Sequence, residues 1–335
     1  MSNMLNWSSR ADCNLQSLIW FQRVFKVFLE SLNTGSEIMT VSENIIEIKH
    51  LSKYYGHARG VEDVSLSVKQ GEFFGFIGPN GAGKSTTIRI LLNLIFPTSG
   101  SAKIFGLDIV KDSKQIRSRL AYVPSDANLY DTMRVHEFLR FGAAFYGGNK
   151  SEDRIRELAG LMELDLDRRI PELSTGNKKK VNIIQALVHH ADLLVLDEPT
   201  TGLDPLIQSR LFNLLAEENK RGVTIFFSSH VLSEVQALCR RVAIVKDGRI
   251  IKSDEITALR DKQLKKVRVL FSDESPRQEL NIKGIESFQA ESAKSIVFMF
   301  SGDINELIQR LSVLRIENLS IEEPPLEEIF LHYYR

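Results

Sequence analysis

Gly78-Pro79-Asn80-Gly81-Ala82-Gly83-Lys84-Ser85, followed by Thr86, has the spacing G-x-x-x-x-G-K-[ST]. Glycines at this density let a backbone wind closely around a polyphosphate with several N–H groups turned inward. A helix starting at the same place adds its positive end. Lys84 can reach the β- and γ-phosphates as a point charge, and Ser85 can ligand Mg²⁺. The flanks supply what such a loop requires: Phe73–Gly78 is a short apolar run suited to a buried strand, and Ser85–Phe96 has helical spacing and stops near Pro97. By itself this motif specifies a nucleoside triphosphate binder, a property shared by kinases and GTPases.

A second apolar run, Leu193-Leu194-Val195-Leu196, ends in Asp197 and Glu198. In parallel sheets ligands sit at the carboxyl ends of strands. Asp197 is therefore expected to face the Mg²⁺ through a water, and Glu198 to polarise an attacking water as general base. Strands often end in solvated acids, and the phosphate loop in the same sheet is what favours the catalytic reading. His230 follows another buried run, Val223–Ser229, which should end beside the first.

These residues need a scaffold, and the pattern around them supplies one. Residues 44–56 alternate apolar and polar up to Gly56, and 61–72 do the same, so both are expected to be strands. Helices are expected over about 133–148, 151–164, 174–190, 206–220 and 232–240. Strands alternating with helices argue a parallel α/β sheet covered on both faces, with a helical insert at about 118–185. After Asp261 the character changes: Lys265–Phe271 and Ser295–Phe300 are expected strands, Asp303–Leu314 a helix, and a last helix should follow Pro325. The expected division is an N-terminal extension 1–42, an ATP-binding domain 43–262 and a small α+β domain 263–335.

Composition restricts the function classes. With 43 basic and 43 acidic residues the formal charge is zero, so no nucleic-acid partner is expected. Cys13 and Cys239 make no disulfide framework or zinc spacing, which points to a reducing compartment. No apolar run reaches the ~18–20 residues that cross a bilayer; Leu15–Leu32 comes nearest, and Arg23, Lys26 and Glu30 interrupt it. Residues 1–38 are expected to be an appendage, either an over-long start before Met39 or an amphipathic segment.

Taken together the motifs resemble the nucleotide-binding domain of ABC transporters over about residues 43–252, which implies an α/β fold with a P-loop NTPase parallel-sheet core, an antiparallel β subdomain and a helical insert. The most specific element is Leu173-Ser174-Thr175-Gly176-Asn177 with its basic tail Lys178-Lys179-Lys180, similar to the signature LSGGQ. Leu196–Pro205 matches the acidic strand and the D-loop, with Asp204 in the D-loop position, and Ser228–Ile250 matches the switch-histidine segment. The resemblance implies that His230 holds the γ-phosphate and orients Glu198 or the water, and that Tyr55 stacks on adenine. It implies that Ser174, Thr175, Gly176 and Asn177 close on ATP held by a second copy of the chain, so that two copies sandwich two ATP molecules head to tail.

Thr175 and Asn177 stand where the family usually has glycine and glutamine, and both retain hydrogen-bonding capacity. In Ala121–Tyr130, Ser125 replaces the family's glutamine, which touches Mg²⁺ and senses the membrane partner; Ser125 or Asp126 is the expected substitute ligand. The combination resembles the drug- and peptide-exporting branch of the bacitracin-resistance kind, whose chains commonly end in a segment like Leu326-Glu327-Glu328-Ile329-Phe330. It implies an ATPase, with ATP and Mg²⁺, docked on a separate transmembrane permease at the cytoplasmic face of the membrane. The alternative is an ABC ATPase of translation or DNA maintenance; the single motif set, without a long charged linker, coiled coil or zinc hook, argues against it.

Overall fold

Three apolar runs that are buried along their whole length make the centre of the molecule. They are β3 (Phe73–Ile77), β7 (Leu193–Asp197) and β8 (Thr224–Ser229). Such runs suit strands covered on both faces. The computed structural model describes residues 43–126, 129, 132–146, 151–261, 265–273 and 283–324. The extension 1–42, Cys13 and the helix expected after Pro325 therefore lie outside the described residues, as does the C-terminal segment that carries part of the resemblance.

The central sheet has the order β10-β9-β3-β8-β7-β6, with β6 (Leu120–Val123), β9 (Arg241–Lys246) and β10 (Arg249–Glu255) completing it. Strands β6, β7, β8, β3 and β9 run parallel, and β10 turns back antiparallel on β9. Because side chains alternate along a strand, each strand feeds two cores. Phe74, Phe76, Leu193, Val195 and Phe226 face one. Phe73, Ile77, Leu194, Leu196, Ile225 and Phe227 face the other.

The first core is roofed by an antiparallel sheet of order β2-β1-β4-β5, from β1 (Asn44–Tyr55), β2 (Ala58–Lys69), β4 (Ser99–Ile104) and β5 (Leu107–Asp108). Helix α1 (Lys84–Leu91) packs in this core. It is shorter than the periodicity to Phe96 predicts. Asn93 turns left-handed at φ 52°, a conformation asparagine tolerates, and this ends the helix ahead of β4. A short α2 (Ser113–Arg117) leads into β6.

The second core is covered by α3 (Val135–Ala144), α4 (Ser151–Leu161), α5 (Thr175–Val188), α6 (Pro205–Lys220) and α7 (Leu232–Leu238). The helix-rich stretch is thus present, while Leu120–Val123 at its start is the edge strand β6 of the parallel sheet. At four residues β6 is too short for periodicity to announce it. Beyond α8 (Ile256–Asp261) a third sheet of order β12-β13-β11-β14 is built from β11 (Lys265–Phe271), β12 (Ile285–Ala290), β13 (Ser295–Phe300) and β14 (Ile316–Glu322). Helix α9 (Ile304–Leu311) packs on it through Leu307 and Leu311, giving these residues a core of their own.

Candidate functional site: a phosphate loop, a buried acid and a paired base

The loop between β3 and α1 has the conformation its glycines permit. Gly81 and Gly83 lie at φ 80° and 103°. A side chain at Gly83 would meet Val61 Cγ1 at 2.7 Å and the Gly60 carbonyl at 2.8 Å, so both conformation and space demand glycine. Gly83 is the N-cap of α1 and supplies no side-chain cap, which leaves the first N–H groups of the helix for a ligand. Asn80 and Gly81 at the crest are exposed, Pro79 accepts from Lys84, and Ala82 is buried beneath.

Lys84 is buried, with its Nζ donating to Gly78 O at 2.7 Å and Pro79 O at 3.1 Å. The same ammonium lies 3.0 Å from Glu198 Oε1. The other carboxylate oxygen of Glu198 faces His230 Nδ1 at 3.2 Å. Glu198 is thus held between the two residues expected to work with it. Glu198 has a φ of 47°, a strained value for a side-chain-bearing residue that costs about 1–2 kcal/mol. Its backbone N–H donates to Ser228 O at 3.1 Å, which ties the turn after β7 to the end of β8.

Asp197 ends β7 with no exposure to solvent. Its Oδ1 accepts from Ser228 Oγ at 2.9 Å, while Oδ2 is buried and without a hydrogen-bond partner. Leaving such an oxygen unsatisfied costs about 1–3 kcal/mol. A hard cation or its bound water is the chemistry that satisfies a buried carboxylate oxygen, so the donor set fits Mg²⁺. Ser85 follows Lys84 in α1 and is half-buried. Nearby, Tyr122 on β6 has its pKa pushed up to about 12 by burial and by the negative charge of Asp197.

Tyr55 is half exposed at the end of β1. A side chain at Gly60 would meet Tyr55 Cε2 at 3.0 Å and Thr86 Cγ2 at 3.1 Å, so the aromatic ring and the residue after Ser85 border the same spot. Lys53 Nζ stands 5.3 Å from the centre of the ring.

The signature segment lies at the start of α5. Ser174 caps the helix by accepting from Asn177 N at 3.3 Å, and Ser174 and Thr175 are exposed. Gly176 approaches the D-loop of its own chain closely: a Cβ there would fall 2.5 Å from Gly202 O. Asp204 is exposed and caps α6, accepting from Ile207 N at 3.0 Å; this backbone bond holds its carboxyl below the usual range. Ser125 is half-buried and Asp126 exposed in the loop after β6.

The sequence reading missed two participants. Ser228 was part of a strand run, and only the pairing of β7 with β8 sets its hydroxyl on Asp197. Lys179 belonged to a run of three lysines that reads as a solvated tail. It is 2% exposed, with Nζ donating to Pro124 O at 2.8 Å and Ser125 O at 3.0 Å. Burial pushes its pKa down to about 8, against the pull of Asp197, Glu198 and Asp126. The available signal was its place on the buried face of α5, one turn before Asn182 and Ile183.

With this geometry in view, the chain is similar to known proteins along most of its length. The ABC transporter family profile matches residues 61–201. The bacitracin transport ATP-binding protein BcrA of Bacillus licheniformis is 34% identical over 304 residues, covering 86% of this chain and 96% of that protein. A solved ATP-binding subunit of an ABC transporter is 33% identical with a TM-score of 0.61, covering 64% of this chain and 92% of the other. A bacterial ABC transporter cassette solved in dimeric form is 25% identical with a TM-score of 0.59, covering 63% of this chain and 98% of the other. The chain belongs to the ATP-binding subunits of ABC transporters, a family of ATP-binding ATPases.

Proposed function

We propose that two copies of this chain close around ATP, that each copy hydrolyses it, and that the cycle of closing and opening drives a separate membrane permease. The observation that carries this reading is the convergence of Lys84, Glu198, His230 and the buried Asp197 where β3, β7 and β8 end.

The backbone from Gly78 to Gly83, with Lys84, Ser85 and Thr86, takes the phosphates, and Tyr55 stacks on the base. Ser85 and Asp197 would hold Mg²⁺, which when bound would neutralise phosphate charge. Glu198 accepts a proton from the attacking water, and His230, at 3.2 Å, keeps its carboxylate aimed. Phosphate arriving at Lys84 competes with Glu198 for the ammonium and frees the base for that water. The exposed Ser174 and Thr175, with Gly176 and Asn177, suit a ligand carried by another copy, and a related cassette was solved as a dimer. Gly176 against Gly202 links this surface to the D-loop and Asp204.

Among the described residues no helix is long and apolar enough to cross a membrane, and the transport and resistance names of the relatives support a separate permease as the partner. A groove of about 220 Å³ lined by Leu94, Tyr122, Tyr146, Gln185 and His189 is a fitting seat for a cytoplasmic segment of that permease. An apolar side chain stands open there: Leu94 is 55% exposed. Docked in this way, the chain works at the cytoplasmic face of the membrane. The transport and resistance names of its relatives favour export of a drug, peptide or lipid-like substrate over translation or DNA maintenance. Residues 263–335 serve as an accessory domain, supported by the separate sheet and core there.

The test is phosphate release by the purified chain with ATP and Mg²⁺, repeated with excess EDTA. Release that stops on chelation is expected; a well-folded chain that binds ATP and releases nothing would overturn the reading.

A further inference from the structure

Lys179 is a cation in an unusual place. It lies one turn into α5, so it belongs to the same rigid element as Ser174–Asn177. Its ammonium has three donors. Besides Pro124 O and Ser125 O it reaches Asp197 O at 3.5 Å. These carbonyls come from two separate segments, the loop leaving β6 and the last residue of β7. Burying a charge carries a desolvation cost that an apolar side chain would avoid, and here the charge is set against three carbonyl acceptors. Three residues further along the helix, Asn182 Nδ2 is also buried and without a partner, so this face of α5 presents polar groups to the interior.

We propose that Lys179 is a positioning residue for ATP hydrolysis, joining the signature helix, the Ser125 loop and the acidic strand into one unit. The inference rests on the ATPase reading above. Asp197 is the residue before Glu198, so a shift of its carbonyl moves the base. Ser125 stands where the family resemblance implies a glutamine, and Lys179 holds that loop by its backbone, which is indifferent to the side chain. When the signature closes on a second copy, the loop and the two acids follow α5. Lys84 and the phosphate loop belong to β3 and α1, which Lys179 does not hold, so ATP binding is spared.

Two variants separate this role from space filling. Lys179→Met keeps the length and removes charge and donors; Lys179→Arg keeps both. In the nucleotide-free chain, hydrogen–deuterium exchange at the Ser125 and Asp126 amides should rise in the methionine variant and return toward the parent in the arginine variant. In turnover, Lys179→Met should lower kcat by about tenfold or more, the loss of charge-assisted bonds. Its ATP affinity should stay within about twofold, as expected when an interaction acts on turnover and not on binding, and Lys179→Arg should recover part of kcat. Exchange and kcat equal to the parent in Lys179→Met would overturn the proposal, as would a parallel fall in kcat and affinity. If the methionine variant does not fold, Lys179→Gln is read in its place, and an unchanged kcat there is equally fatal. A parent chain that hydrolyses nothing overturns the ATPase reading and this role with it, whatever exchange shows of the tether itself.

Discussion

The ammonium of Lys84 and the carboxylate of Glu198 are 3.0 Å apart, one from the phosphate loop and one from the turn after the acidic strand. Each offsets the other's charge where solvent is largely excluded. Glu198→Gln removes that competitor and the base together. ATP affinity should be equal to or tighter than in the parent, and hydrolysis should fall by the ~10²–10⁴-fold typical of a general base. ATP should then trap a dimer visible by size-exclusion chromatography with light scattering. Hydrolysis at the parent rate would remove Glu198 from its role.

Lys84→Ala acts on the other half of the pair. It removes the charge-assisted contacts to phosphate and leaves Glu198 with His230 alone. ATP binding and turnover should both be lost while the circular dichroism spectrum is retained. A nucleotide titration that matches the parent would contradict the assignment.

Gly176→Ala tests the contact between signature and D-loop. The new methyl group would lie 2.5 Å from Gly202 O, closer than a Cβ can approach, so one of the two loops must shift. Turnover should fall while ATP binding to the isolated chain, read by titration, is retained. Parent-level turnover would show that the two loops need not keep their register.

Ser125→Ala should be mild. The carbonyl of Ser125, which accepts from Lys179 at 3.0 Å, survives the substitution. A serine hydroxyl also reaches less far than the glutamine that the family resemblance implies at this position. The loss is about one hydrogen bond, roughly 0.5–1.5 kcal/mol, or about tenfold or less in rate. Basal ATPase abolished as completely as in Glu198→Gln would place the Ser125 side chain in the catalytic machinery.

A chain beginning at Met39 should fold, bind ATP and hydrolyse it as the full chain does, because β1 begins only at Asn44. Soluble yield and phosphate release measure this; a large loss of either would show that residues 1–38 support the domain.

What was legible in the sequence was local chemistry. Gly81 and Gly83 announce a loop with positive φ, and Lys84-Ser85 at a helix start announces phosphate, because conformation and charge there depend on neighbours in the chain. The continuous apolar runs ending at Ile77, Asp197 and Ser229 announce buried parallel strands for the same reason. Those two signals sufficed for the P-loop core. Pairings between distant segments are set by strand order and packing, which leave no periodic trace. Tertiary structure alone set Glu198 on the Lys84 ammonium and Ser228 Oγ on Asp197, and turned Leu120–Val123 into an edge strand. It also took the middle lysine of a run that looks solvated and buried it. A helix decides which face its residues occupy, and only the sheet packed against that face decides whether it meets water or the carbonyls of Pro124 and Ser125.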